Sequence, residues 1–419
     1  MADSLRREWS NVSLIRRIYL FAVALQPSAR PLDRLIDGAI MVFLISSVVS
    51  ITAAQAAILI ALAAWLYKLV CTVDDRPLHL PLLLPVTAFF LASVLASVTA
   101  VDPYRSFTDL RNVFEPMFFF LLVNHVKGEE RATRLVRVLI AVGTLMAAYG
   151  LTQSLAKGSD FRIHGTMSIY MTFAGILVLI ALMTLAQLLF TPHRRASYGL
   201  TVALLLLIAS LVMTHTRGAW MGLAAGGTLI LGFRKKRFLL ALPVLAVVIF
   251  LASPGAVQQR IRSISDPQDP TARDRLYMWS SGAQIIRDHP LTGVGIGGVK
   301  RVYSAYKHPQ SLRDQRTHLH SNLMQVGAER GLIGLGCWLW IWVAFYGQAW
   351  RIYRGIGAHA RQARALVVGS LAGVTGFHVA GLTEFTFGDS EVIMLVYFLM
   401  ALPYVVRGAH PSNRVAATP

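Results

Sequence analysis

Two imidazoles close together are the first place to look for proton transfer, and the chain offers His318 and His320 in Thr317-His318-Leu319-His320-Ser321-Asn322. Two residues apart on a helix they would diverge by about 200°, whereas on extended backbone they would converge. No further Cys, His or Asp set at metal spacing follows them. A general base is therefore the better use of the pair, and no metal or cofactor is expected. Arginine supplies the second kind of chemistry, because its planar fork suits phosphate oxygens. Arg217 ends an apolar run in Thr214-His215-Thr216-Arg217-Gly218-Ala219-Trp220. Ionisable groups at membrane depth are costly and tend to be functional, the alternative being an Arg that snorkels from a span end. Arg273 and Arg275 cannot share one helical face at their spacing. If Arg275 points inward, it and Trp279 one turn later head the buried face, but the sequence leaves open which of the two arginines does so. The turn Gly293-Val294-Gly295-Ile296-Gly297-Gly298 looks like a dinucleotide fingerprint only superficially. It neither follows a strand nor opens a βαβ unit, so it predicts a tight turn that allows close packing.

These residues must be positioned by membrane helices. Of 419 residues, 55% are hydrophobic and 15% charged, and apolar runs of about eighteen residues or more, long enough to cross a ~30 Å hydrocarbon core, recur along the chain. Continuous apolar runs without alternation mean helices, so the expected fold class is an all-α polytopic membrane protein. The net charge of +19 falls in short clusters between apolar runs, which is how topology signals are distributed and argues against a nucleic-acid partner. Twelve spans are expected: 35–50, 54–71, 81–99, 109–125, 137–154, 169–190, 198–214, 219–233, 238–253, 331–350, 365–383 and 391–406. Residues 1–30 read as a basic interfacial helix on an anionic leaflet, with no removable signal peptide. Cys71 and Cys337 lie in or beside spans, far apart, which predicts no structural disulfide.

Dense basic clusters alternate along the connections, and the positive-inside rule then places both termini in the cytoplasm. The long segment between the ninth and tenth spans falls outside. This divides the chain into 1–252, the segment 253–330 and 331–419. From Ser253 to Asn322 there are eight Arg and two Lys against five Asp. Guanidiniums kept on the outer face hint at an anionic ligand, the alternative being contact with lipid headgroups. His215, His164 and Arg162 fall on the same side as secondary candidates to line a cavity. Asp266 and Asp269 are the outer acidic pair close in sequence, thin support for a divalent cation. Asp74-Asp75 falls on the opposite face. A secondary transporter would instead need paired interrupted spans and ionisable groups near the midplane, whereas these candidates cluster at outer helix ends.

At these residues the chain resembles the O-antigen ligases and their relatives, the O-antigen polymerases and protein O-oligosaccharyltransferases. One motif is the loop end His320-Ser321, nine residues, then Gly331-Leu332-Ile333-Gly334; another is Arg217-Gly218 after a span. The stretch from Arg275 through Trp279 to Asp288-His289-Pro290-Leu291-Thr292-Gly293-Val294-Gly295 is also similar to the shared loop of this superfamily. Length and Ser321, where polymerases more often carry Asn, favour ligase over its relatives. The resemblance implies a GT-C-like multi-pass enzyme of a Gram-negative inner membrane with its active site facing the periplasm. It would transfer a polysaccharide from undecaprenyl diphosphate to a sugar hydroxyl of lipid A–core, completing lipopolysaccharide. The implied roles are His320 as general base, worth about 10²–10⁴-fold, and Arg217 with Arg275 (or Arg273) on the diphosphate. His318, His215 and Arg162 stand as further candidates. In-line attack opposite the diphosphate predicts inversion, without a metal. The polymerase, with a second lipid-linked glycan as acceptor, is the alternative. The oligomeric state is left open.

Overall fold

The structure, a computed structural model, describes residues 29–71, 77–110, 114–190, 194–234, 251, 254–263, 266, 268–311 and 314–409. The N-terminal interfacial helix, almost all of the ninth expected span and Asp74-Asp75 lie outside these residues. Among the described residues the chain is all-helical, without strands. The helices are α1 (Ala29–Ser46), α2 (Ile51–Cys71), α3 (Leu83–Val98), α4 (Pro103–Asp109), α5 (Pro116–His125), α6 (Glu129–Lys157), α7 (Tyr170–Phe190) and α8 (Arg194–Met213). They continue with α9 (Arg217–Arg234), α10 (Gly255–Arg262), α11 (Pro270–Asp288), α12 (Val299–Tyr306), α13 (Asn322–Gly355), α14 (Arg361–Ala380) and α15 (Ser390–Ala409). Six of them, α2, α6, α7, α13, α14 and α15, are long and apolar enough to cross a membrane. Helices α3, α5 and residues 197–213 of α8 are shorter and apolar. The protein is a polytopic helical membrane protein.

Two expected spans take a different form. Residues 109–125 do not form one helix: α4 ends at Asp109 and α5 starts at Pro116. A proline is best accommodated in the first turn of a helix, where no amide bond is lost, and Pro116 takes that place in α5. The helix expected from 331 starts at Asn322, where Ser321 caps it through its hydroxyl and the Met324 amide. It breaks at Gly331, whose φ of 64° and ψ of −170° are non-helical. A Cβ there would lie 2.2 Å from the Leu291 carbonyl oxygen, so only glycine fits.

Helices α7, α14 and α15 are almost wholly buried at the centre. Helix α9 packs on α14 through small residues. A Cβ on Gly222 would sit 2.5 Å from the Gly376 carbonyl, and one on Gly226 would sit 2.7 Å from that of Ala372. Close backbone approach through such spaced glycines is a main source of helix association in lipid. The segment between α9 and α13 has its own small core of Met278, Ile285, Val294, Val299, Tyr303, Leu319 and Ala328. The glycine turn after α11 lies directly on α13: the Val294 and Gly295 amides donate to the carbonyls of Ala328 and Glu329. It serves close packing, as its sequence predicts.

Candidate active site

The end of α14, the start of α9, the start of α11 and the residues before α13 meet around a cavity of about 450 Å³. Its wall includes Arg162, Arg217, Arg260, Arg275 and Arg316, against the carboxylates Asp274 and Glu384, with His215 and His320 beside them.

Arg217 is the first residue of α9 and is buried. Its Nη1 donates to the carbonyl and the hydroxyl of Ser263, both at 2.9 Å. Its Nη2 donates to Asp269 Oδ1 at 2.9 Å and to Thr271 Oγ1 at 3.2 Å. Asp269 is also the N-cap of α11, accepting from the Ala272 amide at 2.8 Å. Burial opposes its charge, but hydrogen bonds from Thr271, Arg217 and Ala272 hold its carboxyl well below the usual range. That one carboxylate fixes the α9 and α11 N-termini together. It is thereby committed to arginine and to its own helix, while Asp266 accepts from the Gln268 amide instead. The outer acidic pair does not form a cation site. Arg260 lies 3.8 Å from the other Asp269 oxygen. Its pKa is pushed down to about 10 by burial, then by Arg217 and Arg162, with Arg275 adding to the effect. It stays charged at neutral pH, and its neighbours leave positive potential for an anion to relieve.

Glu384 joins the two halves of the site. It is 3% exposed, forms an ion pair with Arg275 through Oε1, and its Oε2 lies 3.0 Å from His320 Nδ1. Its placement is set by Asn322, the first residue of α13. The Asn322 amide donates to the Gly381 carbonyl at 2.8 Å, and its side-chain carbonyl accepts from the Phe387 amide at 3.0 Å. The turn after α14 is thereby tied to the chain that carries His320. On the other side, a Cβ on Gly218 would lie 2.3 Å from Thr383 Oγ1, so Arg217 and Glu384 are held as near neighbours in the helix pair α9–α14.

The residues expected from sequence are largely brought together here. His320, Arg217, Arg275, His215 and Arg162 all line the cavity. Arg273 does not: it is exposed and donates to Gln268 Oε1 at 3.0 Å and to the Tyr277 hydroxyl at 2.9 Å. The buried face of α11 runs through Asp274, Met278, Ser281 and Ile285, with Arg275 at its edge, so the expected Arg275–Trp279 face is turned by one residue. His320 has a φ of 48°, neither helical nor extended, and the rings of His318 and His320 stand edge to face with centroids 4.3 Å apart. His318 lies behind His320 against Phe385. Burial, then His320 and Arg316, push its pKa down to about 4 against the pull of Glu384, so it is neutral at pH 7. His164 binds the Met167 carbonyl at 2.6 Å and stays out of the wall. Arg162 donates to the Tyr170 hydroxyl at 2.7 Å. His215 binds the Ser159 carbonyl at 3.1 Å, its pKa lowered by burial and then by Arg162.

Sequence reasoning missed Glu384, Arg260, Arg316 and Asp274 as parts of one site. Arg316 pairs with Asp274 at the cavity wall. The available signal for Glu384 was an acid at the outer end of an apolar run, by the same reasoning that singled out Arg217.

Residues 202–339 match the family model described as O-antigen ligase. A Rickettsia conorii protein, provisionally named a polysaccharide ligase, is 25% identical over 272 residues, covering 59% of this chain and 62% of the relative. A similarly named protein of Rickettsia bellii is 24% identical over 278 residues, 59% of this chain and 63% of its own length. The matched stretch thus spans less than two thirds of either relative. The family-model match contains Arg217, Arg275 and His320, and the resemblance read from the motifs agrees with it. Over residues 202–339 the chain is therefore similar to the O-antigen ligase family.

Proposed function

We propose that the chain is an O-antigen ligase, a glycosyltransferase that moves a polysaccharide from undecaprenyl diphosphate to a sugar hydroxyl of lipid A–core. The observation that carries this reading is a cavity wall with five arginines and two carboxylates, beside a histidine held by one of those carboxylates. A lipid diphosphate ester carries two negative charges and leaves as a stable anion, so the reaction needs cations at the departing oxygen more than it needs an acid. Arg217 and Arg275 would bind the diphosphate, with Arg260, Arg316 and Arg162 adding positive potential. The acceptor hydroxyl is neutral and needs a base. His320 Nδ1–H donates a hydrogen bond to Glu384, which leaves Nε2 with its lone pair to take the hydroxyl proton. The acceptor oxygen bonds to the anomeric carbon, the bond from that carbon to the phosphate oxygen breaks, and the diphosphate departs with the electron pair. Attack from the face opposite the leaving group inverts the anomeric centre. Guanidiniums supply the charge stabilisation, so the scheme calls for no metal.

In this reading twelve spans place both termini in the cytoplasm of a Gram-negative inner membrane, and residues 253–330 form the periplasmic part of the site. The purified protein, treated with chelator, is given a lipid-diphosphate glycan together with lipid A–core or with a second lipid-linked glycan. Extension of lipid A–core supports the ligase. Extension only of the lipid-linked glycan makes the protein a polymerase.

A further inference from the structure

Between His320 and the break at Gly331, two polar residues four positions apart share one face of α13, Gln325 and Glu329. Both are buried, Gln325 at 1% exposure and Glu329 at 4%. Such groups are costly unless their donors and acceptors are met. Here a chain of hydrogen bonds meets them. Gln325 Oε1 accepts from the Leu319 amide at 2.8 Å, and its Nε2 donates to Glu329 Oε1 at 2.8 Å. The same carboxylate oxygen accepts from the Gly297 amide at 2.8 Å, while Oε2 accepts from Arg330 Nη1 at 3.2 Å. Arg330 Nε in turn donates to the Ser93 hydroxyl on α3 at 3.1 Å.

The two neighbours dictate the residue type at 325. One is an amide N–H that needs an acceptor, the other a carboxylate that needs a donor, and a primary amide offers both at one tip. The consequence falls on His320. Its φ of 48° is disfavoured for a residue with a Cβ and persists only where the surrounding chain over-determines it. On one side Gln325 anchors the Leu319 amide, and the Leu319 side chain is fully buried in the small core. On the other, the Ser321 hydroxyl caps α13 and the Asn322 amide is anchored on the Gly381 carbonyl. His320 thus sits between two backbone clamps. Glu384 reaches only its Nδ1, which orients the ring but does not fix the turn that carries it. Through Glu329 and the Gly297 amide, the first clamp is also tied to the glycine turn after α11.

We propose that Gln325 is a positioning residue for His320: through the Leu319 amide it holds the turn that aims Nε2 at the acceptor hydroxyl, without touching substrate. This rests on the ligase reading above. Gln325→Met keeps the length of the side chain and removes both hydrogen bonds. Its kcat for transfer to lipid A–core falls about 10- to 100-fold, the order expected for a base displaced by about 1 Å, while the donor KM stays within about twofold. Combined with His320→Ala it costs nothing further, because a residue acting through the imidazole has no effect once the imidazole is gone. Amide hydrogen exchange of the full-length protein, read on peptides covering 317–322, becomes faster in Gln325→Met. Gln325→Glu can share one proton with Glu329, and so still donates to that carboxylate and accepts from the Leu319 amide. It restores the exchange protection and most of the rate, which a misfolded site would not. An equal loss of rate in the wild-type and His320→Ala backgrounds overturns the proposal, as does a normal rate or unchanged exchange in Gln325→Met. A wild-type protein inactive toward both acceptors refutes the ligase reading, and the exchange result then upholds or refutes the Leu319 anchor by itself.

Discussion

Glu384 touches both His320 and Arg275, so its replacement separates orientation of the base from binding of the donor. Glu384→Gln keeps the shape and removes the charge. The account expects kcat to fall about 10²-fold while the donor KM does not rise, because Arg275 loses a competing anion. A raised KM with kcat intact would assign Glu384 to binding instead. Arg275→Ala should raise the donor KM by about 10- to 100-fold, the range for hydrogen bonds to charged groups, whereas Arg273→Ala should leave it within about twofold. Sequence spacing could say that these two arginines diverge, but which one faces inward depends on helix phase, set here by the Asp269 cap and the Met278–Ile285 core. The role of Glu384 was hidden for a related reason: its place at a span end marks it as a candidate, but its partner His320 is 64 positions away and spacing cannot pair them. His318 gives a pH signature. Its folded pKa of about 4 lies below the ordinary value near 6.5, chiefly through burial. It therefore contributes stability that is fully present above pH 6.5 and is lost as pH falls toward 4. His318→Gln should flatten the drop in thermal midpoint between pH 7 and pH 5; an unchanged slope would remove His318 as its source.

At the scale of elements, the break in α13 connects the long segment to the bundle. Gly331 lets the Leu332 amide reach the Pro290 carbonyl at 2.7 Å, and Asn322 ties the other end of that stretch to the turn after α14. Gly331→Ala adds a Cβ 2.2 Å from Leu291 O at a positive φ, which should cost on the order of 1–3 kcal/mol or more. Thermal unfolding of the detergent-solubilised variant checks this, and an unshifted midpoint would contradict the packing described. Here the sequence was informative: the spacing from His320 to Gly331 is the length of one rigid helical piece, and an apolar run betrays a span whatever its partners. It was silent on the interruption at Pro116 and on the early start of α13. Both depend on local capping and backbone contacts that average hydropathy does not register.

For the whole molecule, the account requires the arginine-lined cavity to face the compartment in which lipid-linked glycan and acceptor meet. Cysteines introduced at the exposed positions Ser280 and His359, in a chain with Cys71 and Cys337 replaced by Ser, should report this. A membrane-impermeant maleimide added to intact spheroplasts should label the first and spare the second; the reverse pattern would invert the topology. The cavity containing His320 then belongs to the outer leaflet, where the base lies beside Arg275 and Glu384. The most direct test of the central claim is single-turnover transfer from a lipid-diphosphate glycan to lipid A–core by His320→Ala, with donor binding measured on the same preparation. The account predicts that transfer falls about 10²–10⁴-fold while the donor still binds with near wild-type affinity. Transfer at the wild-type rate would contradict it.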